Sequence, residues 1–551
     1  MQHDIRNSLE PLWQVFLDFT DTASGSASEP GSTDTAAGAL LARAALALRA
    51  LDAVALANMV STALETGQLA DAIRIAAAVA RLAPERADAH FMAGLALQFA
   101  GRHADAVEPY RRAFAIAPDF PHLRNNLAIS LMQINSCGDE IQRLLEAAAA
   151  HDPSDPKPWI NLARLRPDET DIGRPAKAAR RALALAPHDP LALNNSAMAL
   201  KEMQRWDDAQ QAAQAACQYA PNDLSLRFNL STLQLVRGDF ANGWTGHEAR
   251  WLGASELNAG RPAFAKPQWQ GEPIAGRTLL VWGEQGMGDL LQFCRYVPLL
   301  AERVHREGGR LVWNSFAQMG ALLERSLGAQ CDGYSAGGGI ETLPAHDCEV
   351  SLLSLPLIFG TRADSIPGPA RYLAPERDAA ARWRERLAGE RRLKVGLAWT
   401  GSPTHKRNPF RRVDLGALAA HLRGLDDDVA FYSLQPGAQD DVAAARAAGF
   451  EMADFSSEWR TFDDTAAFVD SLDLVISVCT SMAHLAGAIG QRTWVLLDVN
   501  PHWVWQLERR DSPWYPNTTL YRQKAFRQWS PVLEGVAADL RALAQAPREP
   551  R

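Results

Sequence analysis

The sequence predicts an α + α/β chain: a superhelix of short paired helices followed by two lobes built on parallel sheets. Three observations predict it. A 34-residue spacing recurs through the first half, and apolar strand-like runs alternate with helical runs through the second. A glycine-rich turn, Gly283 to Gly288, opens that second half between a strand and a helix. At 551 residues the chain exceeds one core and should divide into about three or four units.

Composition narrows the function classes. A net charge of −8 argues against a general nucleic-acid binder. Six cysteines (Cys137, Cys217, Cys294, Cys331, Cys348, Cys479) are scattered without a C-x-x-C pair. No disulfide framework or zinc site follows, and a reducing cytoplasm is the expected location. No apolar run reaches the ~18–20 residues of a membrane span. The start, MQHDIRNSLE, lacks the basic-then-apolar pattern of a secretory signal.

Residues 1–20 are expected to form a helix with Leu9, Leu12, Trp13, Phe16 and Leu17 on one face, a docking or capping piece. Residues 21–37 are small and polar and read as a flexible linker.

From 38 to 255 the chain repeats. Ala-Pro ends at Pro84 and Pro118, and again at Pro187 and Pro221, pairs separated by the 34-residue period of the tetratricopeptide repeat. Small residues recur in the first helix (Gly94, Ala128, Ala163, Ala197) and in the second (Ala72, Ala106, Ala209), with turn glycines at Gly67, Gly101 and Gly238. They let paired helices approach closely enough for each repeat to bury its face on the next. Six repeats fit. Two residues before the first-helix marker stand Asn58, Asn126, Asn161, Asn195 and Asn229. Either these amides line a groove that holds an extended peptide by its backbone, or they bond neighbouring helices. Trp244, Trp251 and Trp269 read as packing where the array meets the next domain.

From about 270 strands and helices alternate. Strands are expected at 278–282, 310–314, 348–352, 394–399, 429–434, 473–478 and 493–497. A charged helix at 376–392 joins two Rossmann-like lobes, 256–385 and 386–530, and 531–551 forms a closing helix and tail. A cleft between the lobes is the expected site.

Four segments carry chemistry. After the first strand, Gly286 and Gly288 allow a tight turn, and Asp289 opens a helix, where a phosphate or a charged catalytic side chain belongs. The order G-x-x-G-x-G is neither a dinucleotide fingerprint nor a Walker motif. After 394–399, Ser402, His405, Lys406, Arg407, Arg411 and Arg412 form a cationic loop suited to a pyrophosphate, or a solvated basic loop. After 473–478, Thr480 or Ser481 caps a helix whose N–H groups face the same phosphates. His484, one turn in, either donates to a leaving-group oxygen or packs inside. Trp503, Trp505, Trp514 and Tyr515 either stack on a base or sugar or belong to the core. The run Asp426–Asp428 precedes a strand, so it reads as a turn, and no metal is predicted.

These residues together resemble the bacterial tetratricopeptide-fused glycosyltransferases of GT-B fold. The matching stretches are GEQGMGDLLQF, VGLAWTGSPTHKRN, SLQPG, LDLVISVCTSMAHLAGAIG and DSPWYP. The second lobe resembles heptosyltransferases, and the layout is similar to O-GlcNAc transferase and to flagellin glycosyltransferases. The resemblance implies that Asp289 is the general base, that Lys406 binds phosphate, and that Cys479, Thr480, Ser481 and His484 match the family's Asp-Thr-Ser-x-x-His. Cys479 stands where that pattern has Asp.

The expectation is an inverting, metal-independent protein O-glycosyltransferase. It would move a sugar from a nucleotide-activated donor to Ser or Thr of a protein acceptor, flagellin among the candidates, recruited by the repeats. No cofactor, nucleic acid or membrane span is expected. Two alternatives remain open: a scaffold with a degenerate GT-B part, and an enzyme acting on surface polysaccharide or a lipid-linked glycan.

Overall fold

The computed structural model describes residues 14–20, 34–134, 138–165, 172–254, 257, 260–284 and 286–547. They form two compact units, Met1–Arg166 with Gly173–Pro187, and Pro167–Ile172 with His188–Arg551. The division falls inside the repeat array, whereas the sequence placed the end of the repeats at 255. Leu235, Val236, Phe240 and Trp244, late in the array, share one apolar core with Phe293, Trp503 and Trp514.

In the first unit, residues 14–20 are helical and bury Phe16. Arg74, on helix Leu69–Leu82, donates to the Leu17 carbonyl at 3.2 Å and to the Thr20 hydroxyl at 3.0 Å, which docks this piece. Leu9, Leu12 and Trp13 lie outside the described residues, as does 21–33 of the expected linker. The end of that linker is helical instead: Ala- and Leu-rich Asp34–Ala50 begins at Asp34. Helix pairs follow, Ala53–Glu65 with Leu69–Leu82, Ala87–Phe99 with His103–Ile116, Leu123–Gln133 with Gly138–His151, and Pro156–Arg164 with Gly173–Leu185. Gly94 shows why the marker must be small: a β-carbon there would lie 2.6 Å from the Tyr110 ring.

The second unit begins with Pro190–Glu202 and Trp206–Tyr219, then Leu224–Val236 and Phe240–His247. Aspartates cap the first helices: Asp189 accepts from the Ala192 N–H and Asp223 from the Ser225 N–H, both at 2.8 Å. Asp155 does the same in the first unit, accepting from Lys157 at 2.9 Å. Each such cap stabilises its helix by about 1 kcal/mol.

Two all-parallel sheets complete this unit. β1 (Thr278–Trp282), β2 (Arg310–Ser315), β3 (Gly333–Ala336) and β4 (Cys348–Ser351) lie in the order β3-β2-β1-β4. β5 (Leu393–Ala398), β6 (Val429–Ser433), β7 (Met452–Asp454), β8 (Leu474–Val478), β9 (Thr493–Leu497) and β10 (Thr518–Arg522) lie in the order β10-β9-β8-β5-β6-β7. Leu279 stands opposite Leu311 and Cys348, and Val395 opposite Phe431 and Leu474. Central strands β8 and β9 are buried throughout, as parallel strands covered on both faces must be. The fold is therefore a tetratricopeptide-like helical array followed by two Rossmann-like α/β lobes. β3, β7 and β10 were not expected from the sequence, because the first two are short and poor in β-branched residues. Helix Arg377–Arg386 joins the lobes, and Ser530–Gln545 closes the chain.

Among the described residues no single helix is long and apolar enough to cross a membrane. None of them form a cluster of three or more His, Cys, Asp or Glu placed to hold a metal.

Candidate active site

A cleft of about 790 Å³ lies within the second unit, at the carboxyl ends of β1, β5, β8 and β9. Open α/β sheets bind ligands at that edge because the strand-to-helix turns gather there. The repeat helices contribute Lys201, Phe228, Thr232 and His247 to its wall.

Gly286 turns with φ +83, and its carbonyl accepts from the Leu290 N–H at 3.1 Å, which sets Asp289 in the first turn of helix Met287–Phe293. Gly286 and Asp289 both line the cleft. Gly288 serves packing: a β-carbon there would lie 2.9 Å from the His484 ring, so helices Met287–Phe293 and Ser481–Ala488 can touch only with glycine at this point. Burial, with the neighbouring Glu284 charge, pushes the Asp289 carboxyl up to about 7. A carboxylate titrating there is poised as a general base.

Beside it lies a buried ionic cluster. Arg250 donates through Nε to both Glu284 oxygens, at 3.0 and 3.2 Å, through Nη1 to Glu248 at 2.7 Å, and through Nη2 to the Ser354 hydroxyl at 2.9 Å. Ser354 donates to the second Glu248 oxygen at 3.0 Å, and Ser351 donates to Glu284. Burial works against the Arg250 charge, yet the two carboxylates hold its pKa above the usual arginine value. Burial raises the Glu284 carboxyl, against the pull of Arg250.

The loop after β5 is tied from within. The Gly401 N–H donates to Asn408 Oδ1 at 2.9 Å, and Asn408 Nδ2 donates to the Thr400 hydroxyl at 3.0 Å. Ser402 and Lys406 line the cleft, as the sequence suggested, together with Thr404 and His405. The arginines differ from the expectation. Arg407 lines the cleft but is spent on carboxylates: it bonds Glu202 bidentately at 2.6 and 3.0 Å and Asp498 at 2.9 Å. Asn500 secures Glu202 at 2.7 Å. Arg412 does not line the cleft; it borders a separate pocket with Trp399 and Trp529, because helix Asn408–Arg411 ends before it and its backbone turns extended. Arg411 takes that place, lining the cleft close over Gly401, with its Nε on Asn408 Oδ1 at 3.4 Å. Among the described residues Arg411 has no carboxylate within ion-pair distance.

After β8, Thr480 is the N-cap of helix Ser481–Ala488, and its hydroxyl accepts from the Met482 N–H at 3.2 Å. That occupies one of the N–H groups expected to face a phosphate, and neither Thr480 nor Ser481 lines the cleft. Cys479 does line it, its sulfur accepting from the Trp505 indole N–H at 3.1 Å. His484 takes the packed alternative: it is 6 % exposed, bonds the Tyr515 hydroxyl at 2.9 Å and stacks on Trp505. Burial, with His502, Arg295 and Arg411 nearby, lowers its pKa to about 3, so it is neutral. Trp505, Trp514 and Tyr515 are core residues, while Trp503 is buried and also meets the cleft.

The asparagine series is divided, two buried, two half-buried and one exposed. Asn161 and Asn195 are 7 % and 6 % exposed. Asn161 donates to Asn125 Oδ1 at 2.9 Å, and Asn229 donates to Asn194 Oδ1 at 3.0 Å. These amides bond neighbouring first helices, the second of the two alternatives, and Asn161 and Asn195 are too buried to line a groove. Asn126 is half-buried and Asn58 exposed.

Sequence reasoning missed Lys201, Glu202, His247, Arg250, Glu284 and Asp498. Asp498 follows β9 at the sheet's carboxyl edge, a signal that was available. His247, Glu248 and Arg250 lie in a stretch read only for its tryptophans.

No protein-family model matches the chain. It is similar to Protein FlbA of Caulobacter vibrioides, 26 % identical over 455 residues, 78 % of this chain and 74 % of that one. Among solved structures it is similar to a glycosyl transferase of family 9 from Veillonella parvula, with TM-score 0.37, 10 % identity, and 50 % and 99 % of the two chains covered. It is also similar to the APC/C hetero-tetramer Cut9–Hcn1, with TM-score 0.34, 17 % identity, 38 % of this chain covered and less than half, 41 %, of that one.

Proposed function

We propose that the chain is an inverting glycosyltransferase that moves a sugar from a nucleotide-activated donor to a Ser or Thr hydroxyl of a protein recruited by its repeats. The observation that carries this reading is one cleft holding both Asp289, a carboxylate with a pKa near neutrality, and Arg411 with Lys406, cations on the facing lobe's first loop. Asp289 takes the hydroxyl proton as the oxygen attacks the anomeric carbon, and the bond from that carbon to the nucleotide phosphate breaks on the opposite side. Arg411 and Lys406 stabilise the negative charge that develops on the leaving phosphate. Positive charge from side chains is what supports a metal-independent step. Arg407 supports the loop instead, since Glu202 and Asp498 already compensate its charge. The motif resemblance points to the same reaction class.

The test is a melting-temperature panel of UDP, GDP, ADP and CMP, followed by mass analysis of host protein incubated with the corresponding sugar conjugates. A stabilising nucleotide and an added sugar mass on protein support the proposal. Sugar added only to lipid or polysaccharide, or to nothing, contradicts it.

A further inference from the structure

Lys201 stands in the last turn of helix Pro190–Glu202, a repeat helix. A helix dipole favours a lysine there wherever the side chain points, so its presence alone says little. Its surroundings say more. The next residue, Glu202, holds Arg407 of the loop after β5 with both oxygens, at 2.6 and 3.0 Å, and accepts from Asn500 Nδ2 at 2.7 Å. The helix end is thereby clamped against the loop that carries Lys406 and Arg411. Lys201, Lys406 and Arg411 all line the cleft.

Lys201 is left without an anion. Glu202 and Asp498 are taken by Arg407. Lys201 is half-buried, and among the described residues its ammonium has no hydrogen bond or ion pair, yet it is not sealed from solvent. Burial lowers its pKa to about 8, against the pull of Glu202, so it stays charged at neutral pH. His502, also on the wall, is pushed down to about 3, first by burial and then by the charges of His405, Arg411 and Lys201. The repeat helix and the loop therefore bring positive charge to one place. Charge of one sign gathered on a cleft wall focuses the field on an anion entering the cleft.

We propose that Lys201 binds a phosphate of the nucleotide-activated donor, alongside Arg411, so that a repeat helix completes the donor site. This rests on the glycosyltransferase reading and adds a donor contact from the segment to which that reading gives the acceptor.

The test is binding to the full chain by calorimetry, with UDP, GDP, ADP and CMP each alone, then with the sugar conjugate of the one that binds. Lys201→Met keeps the stem and removes the charge. It should weaken binding of the bare nucleotide about tenfold or more, with the melting temperature of the ligand-free chain near wild type. The loss should shrink as salt is raised, because screening weakens an ionic contact and leaves packing untouched. Lys201→Arg, which keeps the charge, should recover most of the affinity. Wild-type affinity in Lys201→Met overturns this inference alone, as does a loss confined to the sugar conjugate, which would put the ammonium on the sugar. A loss that Lys201→Arg fails to recover, or that salt leaves unchanged, marks a packing effect and overturns it too. A wild-type chain that binds none of the four nucleotides overturns the glycosyltransferase reading and this inference with it.

Discussion

Arg250 and Glu284 form a buried ion pair beside Asp289, both side chains 2 % exposed, one from the segment after the last repeat and the other from the turn after β1. The helical part and the first sheet are thus joined by charge at the point where the candidate base sits. Removing the guanidinium strands Glu284 in an interior that cannot solvate it, and takes a partner from the partly exposed Glu248. Arg250→Ala should cost about 3–5 kcal/mol of stability, read by denaturant unfolding. A cost below about 1 kcal/mol would mean the pair is solvated.

The pH dependence of transfer follows from Asp289. Its pKa is pushed up to about 7 by burial and then by Glu284, and only the ionised form can accept a proton. The rate should rise through neutral pH. Glu284→Gln removes a neighbouring negative charge and should move that rise to lower pH. An unmoved profile would rule out electrostatic contact between the two carboxylates.

Stability carries the opposite sign. A carboxyl whose folded pKa lies above its unfolded value contributes fully below the unfolded pKa and loses that contribution as pH rises through the folded one. Asp289→Asn should therefore be more stable than wild type at pH 8, with the difference fading toward pH 4, as unfolding curves at the two pH values would report.

Arg411 and Arg412 are neighbours with different surroundings, one on the cleft and one on the pocket beside Trp399. Arg411→Ala should lower transfer about 10²–10³-fold, by analogy with loss of an oxyanion donor, and shrink the nucleotide-induced melting shift. Arg412→Ala should leave both near wild type. Equal losses would return the anion-binding role to the pair.

Asn161 tests the repeat interior. Its amide donates to Asn125, so Asn161→Ala leaves a buried acceptor unpaired and should cost about 1–3 kcal/mol in stability. A variant that unfolds like wild type yet binds acceptor more weakly would restore the groove role.

The architecture was legible because its signals are periodic. The Ala-Pro spacing marked the helix pairs, and short, β-branched apolar runs such as 473–478 and 493–497, set between helical segments, read as buried parallel strands. Asp289, Ser402 and Lys406 were legible because a residue just past a strand must lie at the sheet's carboxyl edge. What escaped depends on side-chain direction. Nothing local distinguishes Arg411 from Arg412, since one ends a helical turn and the next leaves it. Arg407 has the chain position of a phosphate ligand, but Glu202, 205 residues earlier, lies against it and takes its charge. His484 has the right spacing for a catalytic donor, but its orientation toward Tyr515 is set by packing against Gly288, a contact between distant segments.

The central claim is that Asp289 removes the acceptor proton. The measurement that tests it most directly is the transfer rate of Asp289→Asn, with its nucleotide-induced melting shift taken on the same sample. The account predicts a fall in transfer of about 10²–10⁴-fold with the melting shift retained. Near-wild-type transfer by Asp289→Asn would contradict it.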